Sequence, residues 1–188
     1  MHDNLYWNIK DGLTYFTLNN KLIIEKTKTR EQTVFADSSV QLSCLAVSRD
    51  GKLVAAGEGS PNCTGTSLVF VYDVEKNKQI MRFTCTVHPK GIQSMAFFEN
   101  KYLITLGVQG EPNSLALWNL QRRLMEESAL MDYTVNQVRV DPHTAGSSTF
   151  QFITVGNNAT LTVWRYDTEA AKAGHSGEAV QALHPILV

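Results

Sequence analysis

The chain of 188 residues is 43% apolar and 19% charged, the balance of an ordinary soluble globular protein, which excludes a disordered one. Its 17 Lys and Arg against 18 Asp and Glu leave a net charge of -1 without a long block of either sign, so no footprint for nucleic acid or an anionic membrane is present. No apolar run approaches the roughly 20 residues of a spanning helix, and His2, Asp3 and Asn4 do not begin a secretory leader, so the expected compartment is the cytoplasm.

Residues 1–11 read as a lead-in, with Trp7 available either as a clasp on the next unit or as a partner contact. Leu13 to Leu18, Lys21 to Lys26 and Gln32 to Phe35 read as three strands, the first two joined by a tight hairpin at Asn19-Asn20. From there the sequence repeats itself three times. The first copy has Leu42, Leu45 and Val47, the turn Ser48-Arg49-Asp50-Gly51-Lys52, Leu53 to Gly57, and Ser67 to Asp73. The second has Ile92, Met95 and Phe97, Glu99-Asn100-Lys101, Leu103 to Gly107, and Ser114 to Asn119. The third has Val135, Val138 and Val140, Asp141-Pro142-His143, Phe152 to Gly156, and Thr160 to Arg165. Tyr72, Trp118 and Trp164 fall at equal spacings of 46 residues, the period of a repeat architecture.

Within each copy, short β-branched and aromatic runs separated by Asp-Gly, Asn or Pro turns predict a small antiparallel sheet. Gln79 to Phe83 and Arg122 to Glu126 stand where a fourth, outer strand belongs. Leu120 to Leu130 is also rich in helix formers, but the repeat position favours a strand. Thr168 to Ala182 turns Ala- and Gly-rich and reads as a tail or a short helix.

On these residues the chain resembles the WD-repeat family of β-propellers, all-β rings of four-stranded antiparallel blades. The dipeptide that ends the third strand of such repeats appears as Tyr72-Asp73, Trp118-Asn119 and Trp164-Arg165. The small hydroxyl residue of the second strand matches Thr105 and Thr154, with Ala55 in the first copy, and His88 stands where the family often has Gly-His. No aspartate occupies the turn before the third strands, so the hydrogen-bonded brace of such blades is expected to be incomplete. The resemblance implies a propeller segment over 12–166, made of a partial blade 12–35 and blades 41–83, 91–126 and 134–166, with a tail 167–188. Seven blades at this period need about 320 residues, so the ring is expected to be incomplete.

The run Glu111-Pro112-Asn113 to Asn119, with Val135-Asn136-Gln137-Val138 and Asp141-Pro142, is similar to amino-terminal propellers of large cilia- and flagella-associated WD-repeat proteins. That resemblance implies a non-enzymatic scaffold whose partners are other proteins, axonemal or microtubule-associated, located in the cytoplasm, cilium or cytoskeleton. A signalling or ubiquitin-pathway adaptor is the alternative, and self-association or a longer propeller is expected to cover the open blade faces.

Candidate catalytic groups are thin. His88, His143, His175 and His184 lack the spacing of metal pairs, and no His-Glu-x-x-His, Cys-x-x-Cys or Gly-x-Ser-x-Gly occurs. Asp50-Gly51 and Asp141-Pro142 read as turns, and Gly57-Glu58-Gly59 and Gly107 to Gly110 as strand-exit loops. Cys44, Cys63 and Cys85 suit neither a disulfide framework nor a zinc site. The sequons at Asn62 and Asn158 suit turns, and the long loop from Glu58 to Thr66 is the candidate insertion on a functional face. No catalytic, cofactor-binding or metal-binding residue is assigned.

Overall fold

The structure is a computed structural model that describes residues 4–35, 38–59, 65–108, 113–144, 146–157, 160–174 and 183–186. Four four-stranded antiparallel sheets follow one another along the chain. The first contains β1 (Leu5–Asn8), β2 (Leu13–Leu18), β3 (Lys21–Lys26) and β4 (Gln32–Phe35). The second contains β5 (Leu42–Val47), β6 (Leu53–Glu58), β7 (Ser67–Asp73) and β8 (Lys78–Cys85). The third contains β9 (Ile92–Phe98), β10 (Tyr102–Gly107), β11 (Asn113–Asn119) and β12 (Leu124–Met131). The fourth contains β13 (Val135–Val140), β14 (Thr149–Gly156) and β15 (Leu161–Asp167), and after α1 (Thr168–Gly174) it is completed by β16 (Leu183–Ile186).

Two of these strands correct the sequence reading. The lead-in 1–11 contains β1, which pairs with β2 from Leu5 opposite Phe16 to Asn8 opposite Leu13, so the first sheet is not one strand short. The tail 167–188 contains β16, which pairs with β15 through Leu183 to Ile186 and supplies the missing outer strand. Leu120 to Leu130 resolves in favour of a strand over Leu124–Met131, because pairing with β11 along its whole length satisfies the backbone that a helix would otherwise satisfy.

Why the sheets stack follows from their side-chain period of two. In the second sheet Val54, Ala56, Phe70 and Tyr72 point to one side and pack with Tyr15, Leu22, Ile24 and Phe35 of the first. Ala55, Val69 and Val71 point to the other side and pack with Ile92, Met95, Leu103 and Trp118 of the third. In turn, Ile104, Leu106, Leu115 and Leu117 of the third sheet meet Phe150, Phe152, Trp164 and Tyr166 of the fourth. The strands nearest the axis, β5, β9 and β13, touch one another in sequence, and β1 touches β5. Side chains stitch them: Gln93 Nε2 donates to the Val135 carbonyl, and Ser94 Oγ accepts from the Val138 amide at 3.2 Å. The fourth sheet does not return to pack on the first, so the stack is an open arc.

Local turn chemistry sets the geometry. Asn19 adopts φ 54° in the two-residue β2–β3 turn, a left-handed conformation that Asn tolerates better than most residues. Gly51 takes φ 74° beside Asp50 in the β5–β6 turn. A register shift recurs where the innermost strand leaves the second strand, between Leu42 and Cys44, Leu106 and Gly107, and Val135 and Gln137. Recurrence at one place in three sheets marks these bulges as part of the repeat.

The interface of the third and fourth sheets is an aromatic cluster: the Phe150 ring lies 4.0 Å from Phe98, 5.4 Å from Tyr102 and 5.3 Å from Tyr166. Phe150 is fully buried. Phe150→Ala is expected to lower the unfolding free energy by about 3–5 kcal/mol, read from the urea midpoint at unchanged m-value.

Candidate functional site: buried braces and the inner rim

Each sheet must place some polar groups in the dry space between blades, and these need partners there. In the third sheet four side chains supply them to one another. Trp118 Nε1 donates to Thr105 Oγ1 at 2.9 Å, and Thr105 Oγ1 lies 2.8 Å from His88 Nε2. His88 Nδ1 lies 2.7 Å from Ser114 Oγ, which donates to the Val87 carbonyl at 2.5 Å. One proton arrangement satisfies the whole chain: Trp118 donates to Thr105, Thr105 to His88 Nε2, His88 Nδ1–H to Ser114, and Ser114 to the backbone. Ser114 thus completes the brace that the missing aspartate had led us to expect open.

That arrangement requires a neutral imidazole. His88 is buried, and desolvation lowers its pKa from 6.5 to about 4, against the smaller opposing influence of hydrogen bonds at Val87 and Thr105.

The second sheet solves the same problem with different residues. By strand register Glu58, opposite Leu42, occupies the place of Gly107, opposite Ile92, and of Gly156, opposite Val135. Ser38 lies four residues before Leu42, as His88 lies four before Ile92. Ser38 Oγ is 2.6 Å from Glu58 Oε1, and Glu58 Oε2 accepts from the Leu68 amide at 2.9 Å, both side chains being buried. The pairing is complementary in volume. A Cβ at Gly107 would stand 2.7 Å from Ser114 Oγ and 2.8 Å from His88 Nδ1, so glycine makes room for the imidazole. Where the ring is replaced by a short serine, a glutamate fills the space. The same register corrects the first copy: the residue level with Thr105 and Thr154 is Ala56, not Ala55, because the second strand of that copy is offset by one residue.

The remaining signature residues are placed as follows. Trp164 Nε1 donates to Thr154 Oγ1 at 2.9 Å, which is the brace of the fourth sheet. Tyr72 is buried against Phe35 at 4.6 Å, and Trp118 lies 5.0 Å from Phe83, so this position packs on the outer strand of the preceding sheet. Asp73 takes the Lys76 amide at 2.9 Å and its Nζ at 2.8 Å, and Asn119 Oδ1 accepts from the Arg122 amide at 2.9 Å. Both cap the turn into the outer strand. At the register of Tyr72 and Trp118 the first sheet has Glu25 opposite Thr14, with Arg30 at 2.9 Å. Cys44 and Cys85 are buried thiols, Cys44 Sγ lying 3.5 Å from the Ile92 carbonyl, and burial pushes Cys85 up to about 12. Cys63, His175 and the asparagines of both sequons lie outside the described residues, as does most of the loop from Glu58 to Thr66.

What sequence reasoning missed is the inner rim. The ends of β5, β9 and β13, with Leu5 and Tyr6, enclose a cavity of about 450 Å³ whose floor includes Leu45, Met95 and Val140. Its edge carries Arg49, Glu99, Arg139 and Asp141. The turns around it are tied together: Asn100 Nδ2 donates to Asp50 Oδ2 at 2.7 Å, the Gly146 amide to Glu99 Oε1 at 2.7 Å, and Arg49 to the Pro142 carbonyl at 2.9 Å. Burial opposes the charged form of Asp50, but hydrogen bonds from Asn100, Ser48 and the Lys52 amide prevail and hold its carboxyl below the ordinary value. Asp141 Oδ1 accepts from the His143 amide at 2.8 Å, as a turn residue does. Among the described residues no cluster of three or more His, Cys, Asp or Glu is placed to hold a metal, and no helix is long and apolar enough to cross a membrane.

Four-stranded antiparallel sheets, stacked face to face with their first strands inward and braced by a hydroxyl–tryptophan bond, are propeller blades of the WD-repeat type. The solved structure of U3-55K, a WD-repeat propeller, superposes with a TM-score of 0.64 at 18% identity, covering 85% of this chain and 47% of that one. No family model matches the chain. It is 26% identical over 162 residues to WD repeat-containing protein 90 of Mus musculus, across 86% of this chain and 8% of that protein. It is 26% identical over 157 residues to cilia- and flagella-associated protein 52 of Macaca fascicularis, across 81% of this chain and 26% of that protein. The chain therefore spans about a quarter of the length of one of these relatives and less than a tenth of the other, and the resemblance to WD-repeat proteins of cilia and flagella is borne out by them.

The His88 brace sets a pH dependence. The unfolded chain takes up a proton near 6.5 that the folded chain refuses until about 4, so stability is complete above 6.5 and falls as pH drops between those values, by about 3 kcal/mol in all. Urea midpoints at pH 7.5 and 4.5 are expected to differ accordingly, and His88→Gln to flatten that part of the curve while lowering stability at neutral pH. Gly107→Ala is expected to destabilise by about 1–3 kcal/mol in the presence of His88, and by measurably less when combined with His88→Ser.

Proposed function

We propose that the chain is a non-enzymatic protein-interaction scaffold of the cilium, axoneme or associated microtubules. The observation that carries this reading is the match, over more than four-fifths of the chain, to WD-repeat proteins of which one is named for cilia and flagella. The geometry supports it in kind. The polar residues singled out by the repeat are consumed in buried braces and in turn caps, which builds a rigid body and leaves loops and rims for recognition. The inner rim is the surface best suited to a protein partner, being apolar in its floor and edged by both charge signs.

The tagged chain is expected to concentrate at the axoneme or ciliary base when expressed in ciliated cells, with tubulin-associated proteins enriched by proximity labelling. Arg139→Glu at the exposed mouth of the rim is expected to reduce that enrichment at least fivefold without altering the strand signal in circular dichroism. Diffuse cytosolic or nuclear signal with recovery of signalling or ubiquitin-pathway proteins would overturn the ciliary reading and favour the adaptor.

A further inference from the structure

We propose that the turns joining the first strand to the second and the third to the fourth make a cationic face that docks an acidic polypeptide segment. This surface lies outside the mouth of the inner rim and does not depend on the ciliary reading.

The cations are dispersed along the chain, and folding collects them. In the first three sheets these turns occupy residues 8–12, 26–31, 48–52, 73–78, 99–101 and 119–123, and they contain 11 of the 17 Lys and Arg against six acidic residues. All 11 cations are exposed. The connections at the other ends of the same strands, residues 19–20, 36–41, 59–66, 86–91, 108–112 and 132–134, contain in sequence one basic residue, Lys90, and three acidic ones. The turns form one continuous surface. Within each sheet the amides of Thr27, Val74 and Leu120 donate to the carbonyls of Gly12, Lys52 and Lys101 at 2.9, 2.9 and 2.8 Å. Between sheets, Asn8 and Asp11 lie against Gly51, and Asn100 donates to Asp50.

Five of the six acidic residues are already committed: Glu31, Asp73 and Glu99 to Lys26, Lys76 and Lys101, Asp11 to Asn8, and Asp50 to Asn100. By contrast, Lys10, Lys28, Lys52, Lys78 and Arg123 enter no ion pair among the described residues. Arg123 is a second, separate sign. Arg30, Asn77 and Arg123 are each the fourth residue after the third strand of their sheets and adopt φ 61°, 49° and 58°, a left-handed conformation that suits asparagine better than arginine. Arg30 pairs there with buried Glu25. No internal ion pair accounts for Arg123, whose side chain is left to solvent and to a partner.

Spacing and composition select a polypeptide. Nucleic acid presents a charge about every 1.7 Å and fits an unbroken cationic track, whereas carboxylates interrupt this one. The six turn segments contain no aromatic residue for a base to stack on. Neighbouring sheets stand about 10 Å apart and an extended chain rises about 3.3 Å per residue, so a carboxylate at every third residue meets successive sheets.

Fluorescence anisotropy on the full chain tests this with a fluorescein-labelled peptide of about 12 residues, glutamate alternating with glycine, which extends to about 40 Å. Binding is expected below ~100 µM at ~50 mM salt and to weaken about tenfold by ~200 mM, as screening of exposed charge requires. Lys52→Glu, Lys78→Glu and Arg123→Glu combined are expected to weaken it by at least about tenfold, and Lys21→Glu with Lys90→Glu at the opposite strand ends by less than about twofold, both with wild-type strand signal. Arg123→Asn is expected to weaken binding about threefold while leaving or raising the urea midpoint, because asparagine suits that turn. The proposal is overturned by an absence of binding, by equal losses in the two charge-reversed sets, or by tighter binding of an oligothymidylate of equal charge or of phosphatidylserine vesicles. A lowered urea midpoint in Arg123→Asn assigns that side chain to the fold and overturns its part in recognition. If the triple variant loses its strand signal, Lys52→Gln with Arg123→Asn takes its place. Ciliary localisation is untouched by any of these results.

Discussion

The structure depends on sheets that must be dry on both faces. A four-stranded antiparallel sheet usually buries one face and offers the other to water. Here β6, β7, β10 and β11 are apolar on both sides, so no sheet in the middle of the chain can satisfy itself. Each fully buried Leu or Phe contributes about 1.5–3 kcal/mol only when the neighbouring sheet is in place. Stability is therefore a property of contacts between units, in the manner of repeat proteins, and not of the units themselves.

That dryness creates the need for the braces. Backbone bulges and loop entries near the inner strands bring hydroxyl, imidazole, indole and carboxylate groups into space that water cannot reach. The third sheet uses His88 with a glycine opposite, and the second uses Ser38 with a glutamate opposite. The two solutions fill the same space and differ in chemistry: one is a chain of neutral donors, the other ends on a carboxyl group. A mixed set would either overlap, with a side chain and an imidazole in one place, or leave a buried polar atom alone. The unit of inheritance in such a blade is the pair, and a single position viewed in isolation looks like a departure from the pattern.

Much of the fold was legible because the aromatic at the end of the third strand recurs at fixed spacing, and because period-two runs on either side of it have strand chemistry. The two end strands were not legible for a physical reason. β1 presents Leu5, Tyr6 and Trp7 in an uninterrupted apolar run with little burial, so it shows no alternation, and β16 has four residues with a proline among them after a run of helix formers. Both are defined by the strand they pair with more than by their own residues. The offset at Ala55 has a different origin. Gly57 looks like Gly107 in sequence, but glycine is needed at Gly107 to admit His88, and no imidazole faces the second sheet there. The brace at Trp118 was half legible: His88, Thr105 and Trp118 were marked, while Ser114 carried no signal until the strand register set it beside the ring.

Arg49 reaches from the β5–β6 turn to the Pro142 carbonyl, passing over the third blade altogether. Geometrically it is a chord drawn across the arc, and it behaves as the tie of a tied arch: spreading the second and fourth blades stretches it, and drawing them together slackens it. A single exposed hydrogen bond contributes only about 1 kcal/mol. The tie is therefore compliant, while the aromatic cores it spans are stiff. Curvature at the rim can breathe by thermal motion without disturbing the packing between blades, so an inserted side chain or loop meets an aperture that adjusts in width while its walls keep their shape.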